Sequence, residues 1–276
     1  MSDLFFIWIF NIMEITVVIA CSTDTNLKYA LASIDRSVAS ILVGLNRPSK
    51  EVRNIVNNFG VDYIEVSSSN LATIRNALIS HAISPAILIL DSDCTLNYDC
   101  LKHVRTYLDS FDVIKPSLEY EISGLSTKLV ATVRKYTTTD PSLLFLPLAF
   151  RKSVVQKIGG TYFQENLSWG EDPEFAMRLK KSGAVIKYVP QAVIRHKALS
   201  IRQDLASAFR LGKGRYLRSI AGYEKSRLLF SDLLFKNELL KATEVFERYG
   251  IVASIYHVLG WRLIYKIGYH FSAKIL

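Results

Sequence analysis

The sequence predicts an α/β protein, with a doubly wound sheet covered by helices on both faces and a basic helical region after it. Short β-branched runs alternate with segments of helical period over roughly the first two thirds of the chain. The charge pattern changes after His196, and half of the 276 residues are hydrophobic. A chain of this length and composition buries a sizeable core. Alternating strands and helices are typical of parallel strands joined by crossover helices.

The first half of the chain contains four apolar runs that predict strands. They are ITVVIA (15–20), ASILVGL (39–45), VDYIEV (61–66) and AILIL (86–90). Between them, helical periodicity predicts an amphipathic segment that ends at Ile34 and helices over 49–59 and 70–81. Ligands of such sheets bind at the carboxyl ends of the strands. The residues that directly follow each run are therefore the candidates for a site.

The second half is less regular. Its predicted strands are DVIKP (112–116), LLFLPLAF (143–150), AVIKYVP (184–190) and AVIRH (192–196). The stretch over 119–139 is poorly patterned, a helix starts at Arg151 and ends at a glycine pair, and a loop runs through Trp169. The next helix opens at 170–174 with acids and a proline and ends at Gly183, as helix ends prefer.

Charge separates the chain into two parts. Residues 195–276 hold 15 Lys and Arg against 6 Asp and Glu, a net charge of +9, while residues 1–194 hold 19 of each kind. This asymmetry indicates an anionic partner, either phospholipid head groups or nucleic acid. Residues 210–218 (RLGKGRYLR) concentrate charge that suits a pyrophosphate or a phospholipid.

The last segment, residues 251–276, mixes apolar and basic residues. It has no uncharged span of 18 residues, so we interpret it as interfacial and not as membrane-spanning. Trp261, Tyr265 and Tyr269, interleaved with basic residues, fit a helix that lies at the head groups.

The N-terminus carries an apolar run at 4–10 (LFFIWIF). A membrane helix needs about 20 such residues, and no basic region precedes the run, so we expect no cleaved export signal. We expect residues 1–12 to form a weakly structured or membrane-touching extension, or translation to start at Met13. The sequence has three cysteines, Cys21, Cys94 and Cys100, which lack metal-finger spacing. Their small, odd number fits a reducing, cytosolic compartment.

Two carboxylates follow the fourth predicted strand. Asp91 and Asp93, separated by Ser92, abruptly end an apolar run. Magnesium or manganese is commonly held by one or two carboxylates, with water and substrate phosphates as the other ligands. The alternative is an ordinary turn or helix cap. The position at the carboxyl end of a buried strand favours a metal site that also binds a diphosphate.

Three acids open the helix after Trp169. They are Glu171, Asp172 and Glu174. Acids at a helix start serve as caps and compensate the helix dipole, but three within four positions exceed that need. We therefore predict that one of them is a general base that takes the proton of an attacking acceptor hydroxyl.

Three further residues each have two interpretations. His196 ends a strand and is either a third metal ligand or a structural histidine. Arg75 is either a clamp for phosphate or carboxylate groups or a surface charge. Trp169 either stacks on a sugar ring or nucleobase or packs in the core.

Taken together, these stretches resemble the family 2 glycosyltransferases. ITVVIACSTD is similar to the opening strand and nucleotide-contacting loop of that family, and ILVGLNRPS to its second strand. SSSNLATIRNALISHA resembles the following helix and ILILDSDC the metal-binding strand end. The stretch from LAFRKSVV to AVIRH resembles the acceptor half. The resemblance covers about residues 15–196 and implies the GT-A fold, a doubly wound mixed sheet with helices on both faces.

The resemblance also implies a role for each matching residue. Contacts to the nucleotide sugar would come from Ala20, Ser22, Asn46, Arg75, Asp91 and Ser92. Asp93 would bind Mn²⁺ or Mg²⁺, helped by Asp91 and His196. Asp172 would be the catalytic base with Glu171 beside it, and Glu171 and Trp169 would contact the acceptor. Such enzymes invert the anomeric centre by direct displacement.

Two departures from the family pattern bear on specificity. The second strand usually ends in two aspartates before glycine and serine, whereas Asn46 and its neighbours (LNRP) stand here. An asparagine still hydrogen-bonds a base edge, and a UDP-sugar remains the favoured donor. The Gln-x-x-Arg-Trp motif of processive synthases is absent after His196, which favours the transfer of a single sugar.

Two rival functions fit part of the sequence. A nucleotidyltransferase also uses a carboxylate-bound metal, but normally carries a glycine-rich phosphate loop, and ACSTDTN after the first strand has no glycine. A non-catalytic membrane- or nucleic-acid-binding protein on a degenerate transferase fold would explain the basic region but not the acids.

We therefore expect an inverting, metal-dependent glycosyltransferase with a glycan or lipid-linked acceptor and no nucleic-acid partner. Residues 13–197 would form its transferase domain, with a nucleotide-binding half (13–115) and an acceptor half (116–197). Residues 198–276 would be a basic amphipathic region on the membrane surface. The expected location is cytoplasmic, peripheral at the inner face of the membrane.

Overall fold

A computed structural model describes residues 15–68, 70–138, 144–167, 169–224 and 237–275. The apolar run at 4–10 and the question of a start at Met13 lie outside the described residues.

The described residues form an eight-stranded mixed sheet. Its strands are β1 (Ile15–Cys21), β2 (Ala39–Leu45), β3 (Asp62–Glu65), β4 (Ala86–Asp91), β5 (Cys94–Leu96), β6 (Val113–Glu121), β7 (Leu148–Arg151) and β8 (Ile186–Lys197). Their order is β3-β2-β1-β4-β7-β6-β8-β5. The first four neighbours are parallel, β7 runs antiparallel to β4 and β6, and β5 runs antiparallel to β8. The predicted α/β fold class is confirmed.

Helices connect the strands and form the C-terminal region. They are α1 (Leu27–Ala32), α2 (Lys50–Phe59), α3 (Leu71–His81), α4 (Cys100–Leu108), α5 (Leu125–Thr138), α6 (Val154–Lys157), α7 (Glu171–Lys181), α8 (Ile201–Ile220), α9 (Asn237–Tyr249), α10 (Ile251–Ile255) and α11 (Leu263–Ile275). A π-helical segment (Tyr256–Arg262) joins α10 to α11. Side chains near the N-terminal end of a helix determine where it begins. At the start of α8, Ser200 and Gln203 form a capping box, which satisfies backbone amides that have no partner within the helix.

The sheet is buried on both faces, which explains why its strands read as continuous apolar runs. Alternate residues of β1 point to opposite sides. Val17 and Ile19 belong to a core that includes residues of α1, α2 and α4. Val18 belongs to a second core that includes residues of α3 and α7. The predicted helices on both faces are thus present.

The poorly patterned stretch that starts at residue 119 is mostly regular as far as Thr138, where this described segment ends. β6 continues to Glu121, and α5 follows. Val130 and Val133 of α5 pack against Val245 of α9 and Tyr256 in a third core. The pattern is weak because the apolar partners of α5 come from helices about 100 residues further along the chain.

Three predicted elements differ from the structure. The strand predicted over 143–150 begins only at Leu148, and residues 144–147 are not part of a strand. Arg151 does not start a helix but ends β7, because the residues before it pair with β4, and only four residues from Val154 are helical. The two predicted strands AVIKYVP and AVIRH are one strand, β8. Val189 pairs with Pro116 and Val193 pairs with Ser117. The three residues between them, 190–192, therefore bulge out of the ladder, a position that suits Pro190 because proline has no N–H.

α8 and α11 pack with their backbones in close approach. A Cβ at Gly212 would lie 1.9 Å from the carbonyl oxygen of Tyr265, and one at Gly268 would lie 2.1 Å from that of Phe209. Glycine alone permits this contact because it has no side chain. Among the described residues, no helix is both long enough and apolar enough to cross a membrane.

The structure corrects two predictions about basic and aromatic residues of the C-terminal region. Tyr269 does not lie at an exposed surface but is 4% exposed, with its ring against Tyr216 of α8. Arg215 and Arg218, within the predicted anion-binding stretch 210–218, are instead paired with Glu224 at 2.9 and 3.3 Å. The reason is the packing of α8, which turns part of its basic face toward the protein.

Candidate functional site

Arg75 of α3 is the centre of a cluster of carboxylates. Its side chain is buried and contacts Glu171 Oε1 at 3.1 Å, Asp91 Oδ1 at 3.6 Å and Asp172 Oδ1. The interpretation of Arg75 as a surface charge is therefore wrong. One planar guanidinium presents five N–H groups in a fixed fork, which allows it to hold several carboxylates together.

The carboxylates around Arg75 differ in pKa, burial and hydrogen bonding. The pKa of Asp172 is raised from 3.8 to about 7, mainly by burial. The Arg75 charge opposes this increase, and the charges of Glu171 and Asp91 add to it. A carboxyl with a pKa near the working pH is suited to general acid–base chemistry. Glu171 is 5% exposed, and its Oε2 has no hydrogen-bond partner in the structure. This oxygen is a buried acceptor whose hydrogen-bonding capacity is not used within the protein.

The third acid of the motif is structural. Glu174 is 1% exposed and pairs with Arg178 one turn later, at 2.6 Å from Nε to Oε1. Arg178 also donates to the carbonyl of Ile158 at 2.9 Å. The pair joins α7 to the loop before it, so only Glu171 and Asp172 remain as candidates for chemistry.

Asn76 fixes α3 against the same loop. Its side chain donates to the carbonyl of Phe163 at 2.9 Å and accepts from the Phe163 amide at 3.0 Å. The ring of Phe163 lies 5.5 Å from the Arg75 guanidinium. Sequence reasoning missed Asn76, although it directly follows Arg75.

Asp93 and His196 lie together at the other edge of the acidic cluster. His196 Nε2 is 3.6 Å from Asp93 Oδ2. Strands β5 and β8 bring them together, because Cys94 and His196 are directly paired across the two strands. His196 Nδ1 lies 2.6 Å from the Lys197 carbonyl. When Nδ1 donates in this contact, the neutral ring presents a lone pair at Nε2.

These residues fit a divalent cation. Ligand atoms of Asp93, Cys94 and His196 all lie within 4.8 Å of one another. Burial raises the pKa of Asp93, and the charges of Asp91 and Asp24 raise it further against the lowering effect of His196. A cation would relieve this accumulation of negative charge. Oxygen and nitrogen donors suit Mn²⁺, and Cys94, which sequence reasoning missed, adds a thiol.

The predicted nucleotide contacts lie at the carboxyl ends of β1 and β2. Ala20 is paired with Asp91 across β1 and β4, and the Asn46 amide donates to the Cys21 carbonyl at 2.9 Å. The Asn46 side-chain Oδ1 is buried without a hydrogen-bond partner. Ser22 follows β1 directly, so these groups share one edge of the sheet.

Ser92 points toward the loop after β1. Its hydroxyl donates to Asp24 Oδ2 at 2.7 Å. Asp24 also accepts from the Asn26 amide at 3.0 Å. The end-of-strand rule that singled out Asp91 would have found Asp24 as well, since it stands three residues after β1.

A cavity of about 560 Å³ opens beside the Arg75 cluster. Predicted site residues in its wall are Arg75, Asp91, Trp169, Glu171, Asp172 and His196. Ala20, Ser22, Asn46, Ser92 and Asp93 are outside this wall. Residues from Leu199 onward also line the cavity: Leu199 just before α8, Ser207 and Leu211 of α8, and Trp261 of the π-helical segment. Trp261 was predicted to lie at head groups, but the π-helical segment turns it into the cavity.

Trp169 stands at this cavity in an unusual backbone conformation. Its φ is 62°, a left-handed value that is uncommon for residues other than glycine. It is 44% exposed, and the Arg210 guanidinium lies 4.4 Å from its ring. The interpretation of Trp169 as a core residue is therefore wrong. Strained residues held by their surroundings are common at ligand sites.

Solved structures share this architecture. Residues 1–349 of S. aureus TarS match with a TM-score of 0.56 and 14% identity, over 95% of this chain and 90% of that one. The same protein has been solved with UDP-GlcNAc. Mannosyltransferase PcManGT from Pyrobaculum calidifontis, solved with GDP-Man and Mn²⁺, matches with a TM-score of 0.59 and 14% identity, over 95% and 74% of the two chains. No protein-family model and no curated sequence matches. The likeness to the solved structures shows that the chain shares their GT-A-like fold.

Proposed function

We propose that this protein is an inverting, metal-dependent glycosyltransferase that moves one sugar from a nucleotide diphosphate to an acceptor hydroxyl. The observation that carries the proposal is the convergence of Asp91, Glu171 and Asp172 on buried Arg75 beside a cavity. A binding protein has no need of three acids gathered around one buried arginine, because bringing carboxylates together in a partly desolvated site costs free energy. Similar structures that hold nucleotide sugars support the proposal.

The donor nucleotide would bind along the ends of β1, β2 and β4. Asn46 offers a buried, unpartnered oxygen to an N–H of the base. Ala20 and Ser22 would line the same site, and Asp91 and Ser92 would contact the nucleoside. Uracil carries one ring N–H that suits Asn46, so we propose a UDP-sugar as donor.

Asp93 and His196 would hold Mn²⁺ or Mg²⁺, and Asp91 is the further carboxylate nearby. When bound, such a cation neutralises charge on the diphosphate as it leaves. Asp93 is otherwise surrounded by negative charge, and His196 is oriented by its contact to the Lys197 carbonyl. We place the metal here for these two reasons.

Asp172 would act as the base in the transfer step. Its carboxylate takes the proton from the acceptor hydroxyl while the acceptor oxygen bonds to the anomeric carbon. The bond between that carbon and the diphosphate oxygen breaks, and the diphosphate leaves with the electron pair. Glu171 would accept from an acceptor hydroxyl through its unpartnered Oε2, and Trp169 would stack on the acceptor. Arg75 holds both carboxylates in place.

The acceptor is proposed to be a glycan or a lipid-linked precursor met at the cytoplasmic face of the membrane. The transferase unit would comprise residues 13–197, and residues 198–276 would provide the acceptor-side wall of the cavity. Leu199, Leu211 and Trp261 make that wall largely apolar. A wall of this kind suits an acceptor with an apolar part.

Nucleotide-dependent thermal stabilisation tests the proposal. The protein is titrated with nucleoside diphosphates and nucleotide sugars, each with Mn²⁺ and with a chelator, beside the variants Asp93→Ala and Asp99→Ala. Asp99 is an exposed acid outside the site and serves as the matched control. We expect stabilisation by one nucleotide with Mn²⁺, kept by Asp99→Ala and lost by Asp93→Ala. A folded protein that no nucleotide stabilises would refute the transferase function.

A further inference from the structure

We propose that the helix over residues 251–275 docks the protein on an anionic membrane surface through one exposed apolar stripe. The stripe consists of six side chains with exposed fractions between 39% and 64%. They are Ile251, Val252, Ile255, Leu259, Ile267 and Phe271. Residues of this size rarely stay exposed along a whole helix unless they meet an apolar partner. The docking surface does not depend on the proposed transfer chemistry.

The π-helical segment aligns the two ends of the stripe. At about 100° per residue, the first four side chains lie within about 100° of one another. In an unbroken α-helix, Ile267 and Phe271 would lie about 160° and 200° round from Ile251. The π-helical segment takes up one more residue per turn, which rotates the following helix back by about 100°. Ile267 and Phe271 then lie about 60° and 100° round from Ile251, on the same side as the first four side chains. Their observed exposure fits this geometry.

The opposite face of the helix is held by the protein. Tyr256, His257, Lys266 and Tyr269 are buried there. The close backbone contact at Gly268 locks α11 against α8. The helix therefore lies flat, with one face on the protein and the stripe outward, as in helices that rest in a membrane interface.

Charge favours a lipid surface as the occupant. Residues 251–276 contain no Asp or Glu, and of their three basic residues Lys266 is buried against the protein, whereas Arg262 is partly exposed and Lys274 exposed. Lys274 is exposed three residues after Phe271, and the whole region from 195 onward carries +9. Basic residues near an anionic membrane each contribute to binding. A second copy of the chain carries the same positive charge, so pairing two such faces would bring like charges together.

The same helix connects this surface to the cavity. Leu259 belongs to the stripe, and Trp261 two residues later lines the cavity wall. Docking would therefore place the acceptor side of the cavity close to the membrane, where a lipid-linked acceptor is found. This last consequence rests on the proposed function.

Vesicle co-sedimentation tests the docking surface. Full-length protein is mixed with vesicles of phosphatidylcholine alone or with added phosphatidylglycerol. We expect binding to the anionic vesicles, weakened about tenfold or more in the double variant Leu259→Gln with Phe271→Gln. The matched control is Ile83→Gln with Leu125→Gln, which changes side chains 85% and 88% exposed outside the helix. The control should bind as the wild type does. No binding to anionic vesicles, or equal binding by both double variants, would overturn the proposal.

A second readout locates the contact. The three native cysteines are buried, so an environment-sensitive fluorophore attached to Leu259→Cys reports on that position alone. We expect a blue shift with anionic vesicles that the same label on Ile83→Cys does not show. Light scattering distinguishes self-association: a wild-type dimer that the stripe variant makes monomeric would overturn the membrane as occupant. Unchanged nucleotide stabilisation in the stripe variant would separate this result from a failure of the transferase proposal.

Discussion

Gly214 of α8 closely approaches the loop that precedes Glu171 and Asp172, the proposed catalytic acids. A Cβ at Gly214 would lie 2.0 Å from the Trp169 carbonyl oxygen and 2.9 Å from the Gly170 amide nitrogen. Ordinary contacts of a carbon atom begin at about 3.5 Å. Gly214→Ala must therefore move the backbone of α8 and the backbone at Trp169 apart by about 1.5 Å. Backbone atoms cannot rotate aside as a side chain does, so the whole loop has to move.

The expected cost follows from this displacement. Overpacking costs about 1–3 kcal/mol, and a backbone clash belongs at the upper end. Alanine regains about 1 kcal/mol of helix propensity over glycine. We therefore expect Gly214→Ala to lower the free energy of unfolding by about 2 kcal/mol. Because Glu171 follows the displaced loop directly, a shift of about 1 Å should also slow transfer about a hundredfold.

Chemical denaturation and turnover with the nucleotide sugar identified by thermal stabilisation measure the two effects. Two matched variants separate them. Gly212→Ala meets the Tyr265 carbonyl at 1.9 Å and should lose stability with a smaller effect on turnover. Gly260→Ala meets side-chain atoms and not backbone, the Tyr256 ring at 3.0 Å and Leu205 at 3.7 Å, and should be nearly neutral. Wild-type stability and turnover in Gly214→Ala would refute the contact between α8 and the loop.

Four further variants test the charged groups and the hydroxyl of Tyr256. Because the pKa of Asp172 is raised from 3.8 to about 7 in the folded protein, its contribution to stability is present at low pH and is lost as the pH rises through about 7. Denaturation across pH 4–8 should show this loss in the wild type and not in Asp172→Asn. Arg75→Lys cannot bridge three carboxylates, so we expect turnover about a hundredfold lower at unchanged substrate concentration. Asp204 is fully buried and pairs with Arg134 and the Tyr256 hydroxyl. Asp204→Ala should cost about 3 kcal/mol of unfolding free energy and Tyr256→Phe about 1, measured by denaturant titration.

The regular part of the fold was predictable because the parallel strands are buried on both faces. β1, β2 and β4 each appear as an unbroken apolar run, and the helices between them show their own period. The helix ends followed from caps such as Ser49, whose hydroxyl accepts from the Val52 amide. These signals lie within a few residues of one another, so the local sequence carries them.

The antiparallel part was not predictable in the same detail. β7 is formed by residues whose partners in β4 lie about 60 residues earlier. α5 has a weak pattern because α9 and Tyr256 cover it from far along the chain. Nothing near Arg151 or in the stretch over 119–139 encodes these partners.

The candidate site shows the same division. The sequence made two pairs of acids recognisable because acidic residues are rarely so close together beside an apolar segment. One pair, Asp91 and Asp93, follows a buried strand, and the other, Glu171 and Asp172, opens a helix. The role of Arg75 as their common partner was left open by the sequence, which fits a surface charge equally well. Its contact to Asp172 joins residues 97 positions apart, and only burial of α3 against α7 places them together.

The sequence by itself determined the α/β class, the strand ends at which polar residues cluster and the basic character of the C-terminal region. The tertiary structure decided which of these residues meet: Arg75 with three carboxylates, Asp93 with His196 and Cys94, and Trp261 with the cavity. The physical reason is that periodicity and capping act over one or two turns of chain. The partner of a buried charge or an apolar face is chosen by the packing of elements that are distant in sequence.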